Sequence, residues 1–330
     1  MANAEHSQDE TPSAPPPWWW RPVGVLTELT ALACLAVAFV PWLWLGEQLL
    51  PWSPVLMLVL TVLLVVMRRD RAHAGMAVVG ILAAAWPWVY AGWVPEAPEV
   101  GDEPSVSVCL WDARAWAGSD SKAVRAALNG SGADVLIALA PSDGELAQVL
   151  GKMPEHNYEQ VRAMRDASGT AQQWLCLAAR RRPPLLQQRL VPETDGGVWA
   201  FSVPCGEGAL TVVVPVLPDG SRPQGFVRQL PVIDELRRVL AEIEGPLVVS
   251  LPRGWEQASP RWQSLVRDAG LAVPLGGMPA LETLPRPFGR ADCLVAGRGV
   301  ALSRPLAMSL PEAGRDAVVL RVALTQSLAK

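Results

Sequence analysis

The chain has 330 residues, half of them hydrophobic, with 18% charged residues and a mean hydropathy of +0.21. That balance points to a membrane component rather than an ordinary soluble domain. A formal net charge of −4 provides no electrostatic footprint for nucleic acid, which is therefore not expected as a partner.

Residues 1–17 are polar, Pro-rich and aperiodic, and with the turn that follows they read as a disordered cytoplasmic tail, residues 1–21. No basic stretch precedes an apolar run and no small-residue cleavage site follows, so the tail is not a signal peptide. Three apolar segments come next, at about 29–45, 49–67 and 74–94. Each approaches the roughly 20 residues that a helix needs to cross a bilayer. Trp18, Trp19, Trp20, Trp42, Trp44, Trp52, Trp86, Trp88 and Trp93 flank or punctuate these runs, as an interfacial aromatic belt would. Residues 22–94 are thus expected to form a three-helix transmembrane anchor, with Pro51 and Pro54 making the start of the second helix irregular. Arg68, Arg69 and Arg71 crowd the loop after the second segment, whereas residues 46–54 contain no Lys or Arg. The positive-inside rule puts that Arg loop and the N-terminus, with Arg21, in the cytoplasm, and everything after Val94 outside. The expected location is the inner cell membrane, multi-pass, with the lipid bilayer as the first partner. Residues 95–104 (PEAPEVGDEP) form an acidic, Pro-rich spacer.

Residues 105–330 are enough to bury one good core. Residues 105–110 (SVSVCL) alternate strictly and predict a strand. A helix at 122–128 follows, then a buried strand at 134–139. Further strands are predicted at 174–179, 198–203, 210–216, 247–250, 292–296 and 317–322, and helices at 232–243 and 260–269. Ser259 and Pro260 mark the start of the last helix as an N-cap and a first-turn proline. Strands often follow strands, so a simple alternating βα order is excluded. The expected class is α/β (α+β), a four-layer sandwich of two sheets with outer helices.

Residues 246–262 (PLVVSLPRGWEQASPRW) resemble the "PVVVAGDFNATPWSP" segment of the endonuclease/exonuclease/phosphatase superfamily. Leu251, Pro252, Arg253 and Gly254 stand where that family has Gly-Asp-Phe-Asn. VSVCLWDAR is similar to the family's first strand, with Asp112 where its metal-site Asn belongs. ADVLIALAP is similar to "pDvvaLqEv", and puts Ala140 or Pro141 at the main magnesium ligand. LAARRRPP resembles "llSryPi", with Ala179 for Ser and Arg180 retained. VVVPVLPDG resembles "lvnvHlpp", placing Val216 at a family His. LETLPRPFGRADCLVAG keeps Asp292 and has Cys293 for His. AGRDAVVLRV is similar to "gSDHrPvvae": Arg315 replaces Ser, Asp316 is kept, and Ala317 stands at the catalytic His. The membrane-anchored bacterial branch of the family also carries three N-terminal transmembrane helices.

The resemblance implies metal-dependent phosphoester hydrolysis, with Mg or Mn, in the family at large. That chemistry needs a carboxylate for the cation, a His–Asp pair and donors for the transition-state oxygens. This chain has only His6, His73 and His156, none at a family site position. The expectation is therefore a catalytically degenerate protein that binds or scaffolds, with no catalytic residue and no metal or cofactor. Its vestigial pocket would comprise Asp112, Arg253, Asp292, Arg315 and Asp316. Arg253 and Arg315 read first as internal partners of the stranded carboxylates. Alternatively they offer bidentate contacts to an anionic ligand. An active phosphodiesterase or phosphatase with a rebuilt site, and an accessory subunit docked on a membrane-protein partner, are the rival readings. Arg180, Arg181 and Arg182 read as a solvated strand end, and residues 119–122 as a polar loop with an N-cap. Cys34 lies in the first apolar segment. Cys109, Cys176, Cys205 and Cys293 show no metal-ligand spacing, and read as small buried hydrophobes or as members of one or two disulfides.

Overall fold

The computed structural model describes residues 18–39, 49–91, 95–112, 121–140, 149, 157–165, 171–179, 185–192, 194, 196–218, 223–251, 259–273, 293–310 and 317–325. The expected tail, residues 1–21, lies almost wholly outside them. So do the residues linking the first two apolar segments.

The N-terminal unit is three packed helices: α1 (Trp20–Phe39), α2 (Ser53–Val66) and α3 (Arg71–Ala91). Gly80 lets all three approach closely, because a Cβ there would lie 3.0 Å from the Ala31 Cα and 2.7 Å from Leu60 Cδ1. Small residues at helix crossings serve this purpose where no water drives association. Of the three expected spans, one described helix, over Trp20–Ala38, is long and apolar enough to cross a membrane. It starts nine residues before the apolar run that suggested it, because the residues between continue the helix. α2 is apolar but has 14 residues, which at a rise of about 1.5 Å each reach about 21 Å against a hydrocarbon core of about 30 Å. Its start is irregular, as expected from Pro51 and Pro54: a 3₁₀ turn at Leu50–Trp52 precedes it. α3 has 21 residues, enough in length to cross, with Arg71 and His73 in its first turn and Pro87 in its last part, but it is not among the spans shown for the described residues.

The second unit is a two-sheet sandwich. Its elements are β1 (Ser105–Asp112), α4 (Ser121–Gly130), β2 (Val135–Ala140), β3 (Asn157–Arg165), β4 (Ala171–Ala179), β5 (Leu185–Val191), β6 (Gly196–Cys205), β7 (Gly208–Val216), α5 (Pro223–Glu242), β8 (Leu247–Leu251), α6 (Pro260–Ala269), β9 (Cys293–Ala296), β10 (Val300–Leu302), β11 (Leu306–Met308) and β12 (Ala317–Leu324). One sheet has the order β10-β12-β1-β2-β4-β3, with β11 also on β12; the other is β5-β6-β7-β8-β9. β1 runs parallel to β2 and antiparallel to β12, while β7 runs parallel to β8.

Central strands bury both faces, so they read as continuous apolar runs whose alternation is invisible in composition. On β6, Trp199, Phe201 and Val203 enter the core between the sheets, while Val198 and Ala200 meet the outer helices. On β1, Val106, Val108 and Leu110 face the other sheet, whereas Cys109 and Trp111 pack with Val124 and Leu128 of α4. The result is helix, sheet, sheet, helix, as expected. Cys109 and Cys205 are free buried thiols, so neither belongs to a disulfide. The side chains of Cys176 and Cys293 lie outside the described residues.

Four strands were not anticipated. β3 and β5 are edge strands, and β5 (LLQQRLV) shows no clean alternation because its residues are mostly exposed. β10 and β11 have three residues each, too few for a period to register. α5 begins nine residues before the expected 232 because it runs through Pro231. The carbonyl that Pro231 leaves without its helical donor belongs to Val227, which is 61% exposed, so water can serve it.

Candidate functional site

The parallel β1 and β2 end together, and the antiparallel β12 begins beside them. In the other sheet β7 and β8 end together and β9 begins beside them, with Leu251 opposite Cys293. Contacts at the far end bring these two sets to one side. There Cys205 Sγ, at the end of β6, lies 3.7 Å from the Val322 carbonyl and 3.9 Å from that of Pro104. A Cβ on Gly208 would meet Leu324 Cδ1 at 2.8 Å. Since the tails of both sheets touch, the strand ends carrying Asp112, Ala140, Val216, Leu251, Cys293 and Ala317 share the opposite end and form a common mouth.

Asp112 closes β1, one place along the register from Trp111 and opposite Leu139 of β2. Its backbone is described and its side chain is not. Arg253, Asp292, Arg315 and Asp316 lie outside the described residues; the sequence puts them two residues after β8, directly before β9, and directly before β12. The topology therefore brings the attachment points of all five to one end. Val216 and Ala317, both 0% exposed, fill the two positions where the resemblance places His. Val216 is part of the core between the sheets, and Ala317 packs with Trp111 and Leu310.

One residue at this end escaped the reading of the sequence. Arg261, in the first turn of α6, is 2% exposed. Its guanidinium lies 3.8 Å from the centre of the Phe226 ring and donates to Gln229 Oε1 at 3.3 Å. Gln229 Nε2 in turn donates to the Pro218 carbonyl at 2.7 Å. This chain ties the exit of β7 to the start of α6. A cation at a helix N-terminus opposes the helix dipole, and stacking on the aromatic face offsets part of that cost. The only signal for it in the sequence was its place directly before Trp262, which suited a solvated helix start equally well. Ser259 has the extended N-cap backbone that was expected, without a side-chain capping hydrogen bond.

Burial also shapes the thiols. Desolvation pushes Cys109 up to about 12, and it raises Cys205 as well. Neither is poised as a nucleophile.

No protein-family model matches the sequence, and no curated protein does. Solved structures do match. An endonuclease/exonuclease/phosphatase family protein from Bacteroides thetaiotaomicron superposes with a TM-score of 0.51 at 11% identity, over 68% of this chain and 100% of that one. The endonuclease/exonuclease/phosphatase from Bacteroides vulgatus gives 0.51 at 12% identity, over 67% and 99%. The human Nocturnin catalytic domain, solved with a bound sulfate anion, gives 0.50 at 12%, over 68% and 97%. The fold is that of the endonuclease/exonuclease/phosphatase proteins. At such identities the likeness is one of architecture, over about two thirds of the chain.

The resemblance implies Mg or Mn at this end, so the donor set can be tested. The principal carboxylate position falls on Ala140 or Pro141, neither of which carries a donor. Among the described residues no group of three His, Cys, Asp or Glu stands together. Ala140 and Pro141 offer no ligand at that position, and no step through a metal follows.

Proposed function

We propose that this chain is a membrane-anchored relative of the endonuclease/exonuclease/phosphatase proteins that binds or scaffolds at its strand-end mouth and does not hydrolyse phosphoesters. The observation that carries this reading is the burial of Val216 and Ala317, two aliphatic side chains at 0% exposure where the resemblance calls for imidazoles. No other histidine can reach the mouth from a described position: His73 sits at the start of α3 and bonds Asp70 Oδ2 through Nδ1 at 2.7 Å. Arg253 and Arg315 would supply the fixed positive charge that stays with the stranded carboxylates.

The anchoring rests on surface chemistry. Leu29 and Leu32 on α1, Leu58 and Val62 on α2, and Val79 and Leu82 on α3 are all more than half exposed. Helices apolar all round belong in lipid or in a large core. With α2 and α3 packed around α1, the unit presents that apolar surface on every helix. The Arg-rich turn at 68–71 would face the cytoplasm and the sandwich the exterior.

The test is turnover. Full-length protein in lipid nanodiscs, with Mg or Mn, is assayed on p-nitrophenyl phosphate and bis-p-nitrophenyl phosphate. Loss of one transition-state donor alone costs about 3 kcal/mol, or over a hundredfold, so turnover at the level of buffer is expected. Metal-dependent turnover that disappears in Asp292→Ala would overturn the proposal.

A further inference from the structure

The first turn of α6 is buried on too many sides. Arg261, Trp262 and Gln263 are consecutive and are 2%, 0% and 5% exposed. Successive helical residues point about 100° apart, so three of them sweep about 200°. The sheet covers one face, through Trp262, Leu265 and Val266. α5 covers Arg261 through Phe226 and Gln229. The cover over Gln263 includes α3: Gln263 Nε2 donates to the Pro87 carbonyl at 3.4 Å, and Pro87 is buried too.

The direction of the chain fixes the orientation. Beyond α3 the Ala97 N–H donates to the Val273 carbonyl at 2.7 Å, and the Val273 N–H donates to the Pro95 carbonyl at 2.9 Å. Next the Leu302 N–H donates to the Pro98 carbonyl at 2.9 Å, and β1 begins. Leaving α3, the chain therefore passes from the first turn of α6 to beyond its last. The first turn of α6 stands at the mouth, directly after the loop that leaves β8, and Val273 stands toward the far end beside the Ala272–Ala296 bridge. The mouth is thus on the side from which α3 arrives. Beside Pro87, Trp86 and Val89 are 57% and 53% exposed, as residues of a helix leaving lipid through its interface would be.

From these contacts we infer that the sandwich is docked on α3 rather than loosely tethered, with its strand-end mouth turned to the lipid surface. The partner of the mouth is the headgroup layer of the bilayer in which the chain is anchored. With a net charge of −4, docking on α3 rather than attraction to anionic lipid holds it there. The inference rests on the anchoring proposed above.

Photo-crosslinking of the full-length chain in phosphatidylcholine vesicles tests it. A benzoylphenylalanine is placed in turn at Ser309, exposed just past the mouth end of β11, at Glu207, exposed in the β6–β7 hairpin at the far end, and at Leu58 on α2. Lipid adducts are expected at Leu58 and Ser309, with Glu207 several-fold lower. Gln263→Glu, which puts a carboxylate against the Pro87 carbonyl, is expected to narrow the gap between Ser309 and Glu207. Adducts at Leu58 with Ser309 no higher than Glu207 would overturn the orientation and leave the anchoring intact. Lipid adducts at none of the three would end the anchoring and the orientation together. Adducts at Ser309 to protein alone would replace the lipid surface with a membrane-protein partner.

Discussion

Ala317 stands where the resemblance puts a histidine, and its surroundings leave no room for one. Its methyl group is fully enclosed beside Trp111 and Leu310. Ala317→His would force a ring into that space, at a cost of about 1–3 kcal/mol of stability from overpacking. The variant is expected to melt several degrees lower and to remain without phosphoesterase activity, as a thermal scan and a p-nitrophenyl phosphate assay would report. Cys109 gives a prediction in pH. Burial pushes its thiol up from the ordinary 9.0 to about 12, so at intermediate pH the folded chain holds a proton that the unfolded chain releases. Stability from this group is complete below pH 9 and falls above it, by about 1.4 kcal/mol per unit until its own titration near 12. Denaturant titrations at pH 8 and pH 10.5 should show the drop, and Cys109→Ala should reduce it. A thiol reagent at pH 8 is expected to modify Cys109 only after unfolding.

At the scale of elements, the close crossing at Gly80 governs the N-terminal unit. A side chain there meets the Ala31 Cα at 3.0 Å, and a backbone atom cannot turn aside as the tip of Leu60 could. Gly80→Ile is expected to separate α1 from α3 and lower the melting temperature of the detergent-solubilised chain. Gly75→Ile, with open space around its Cβ, serves as the control and should leave it nearly unchanged. In the sandwich the same scale explains Arg261. Its bonds run from α6 to α5 and on to Pro218, so it couples two exits at the mouth, and no property of the α6 segment alone would reveal that.

The whole molecule joins an apolar helical unit to a sandwich whose mouth lies beside it. Reporter fusions after residue 100 test its topology: an exterior-specific reporter such as alkaline phosphatase should be active there, and a cytoplasmic one silent. Activity of the cytoplasmic reporter would reverse the assignment.

Sequence alone determined what depends on local pattern and on residue identity. The period-two run of β1, the apolar runs of β6 to β8 and the cap signals around α6 produce their elements from neighbouring residues. The order of those segments also implied the two-sheet fold, since a mixed strand order closes into a sandwich more readily than into an alternating sheet. Composition limited the chain to three histidines, none of them at a position where the resemblance calls for one. Tertiary structure decided the rest. β3 and β5 exist because an adjacent strand supplies their hydrogen bonds, not because their own sequence alternates. Pro231 stays inside α5 because the carbonyl it orphans faces water. Arg261 is buried because Phe226 and Gln229 come to it from another helix. The orientation of the mouth follows from Gln263 meeting Pro87, 176 residues away in the chain. Contacts at such separations depend on the whole fold, and no local rule of propensity or periodicity encodes them.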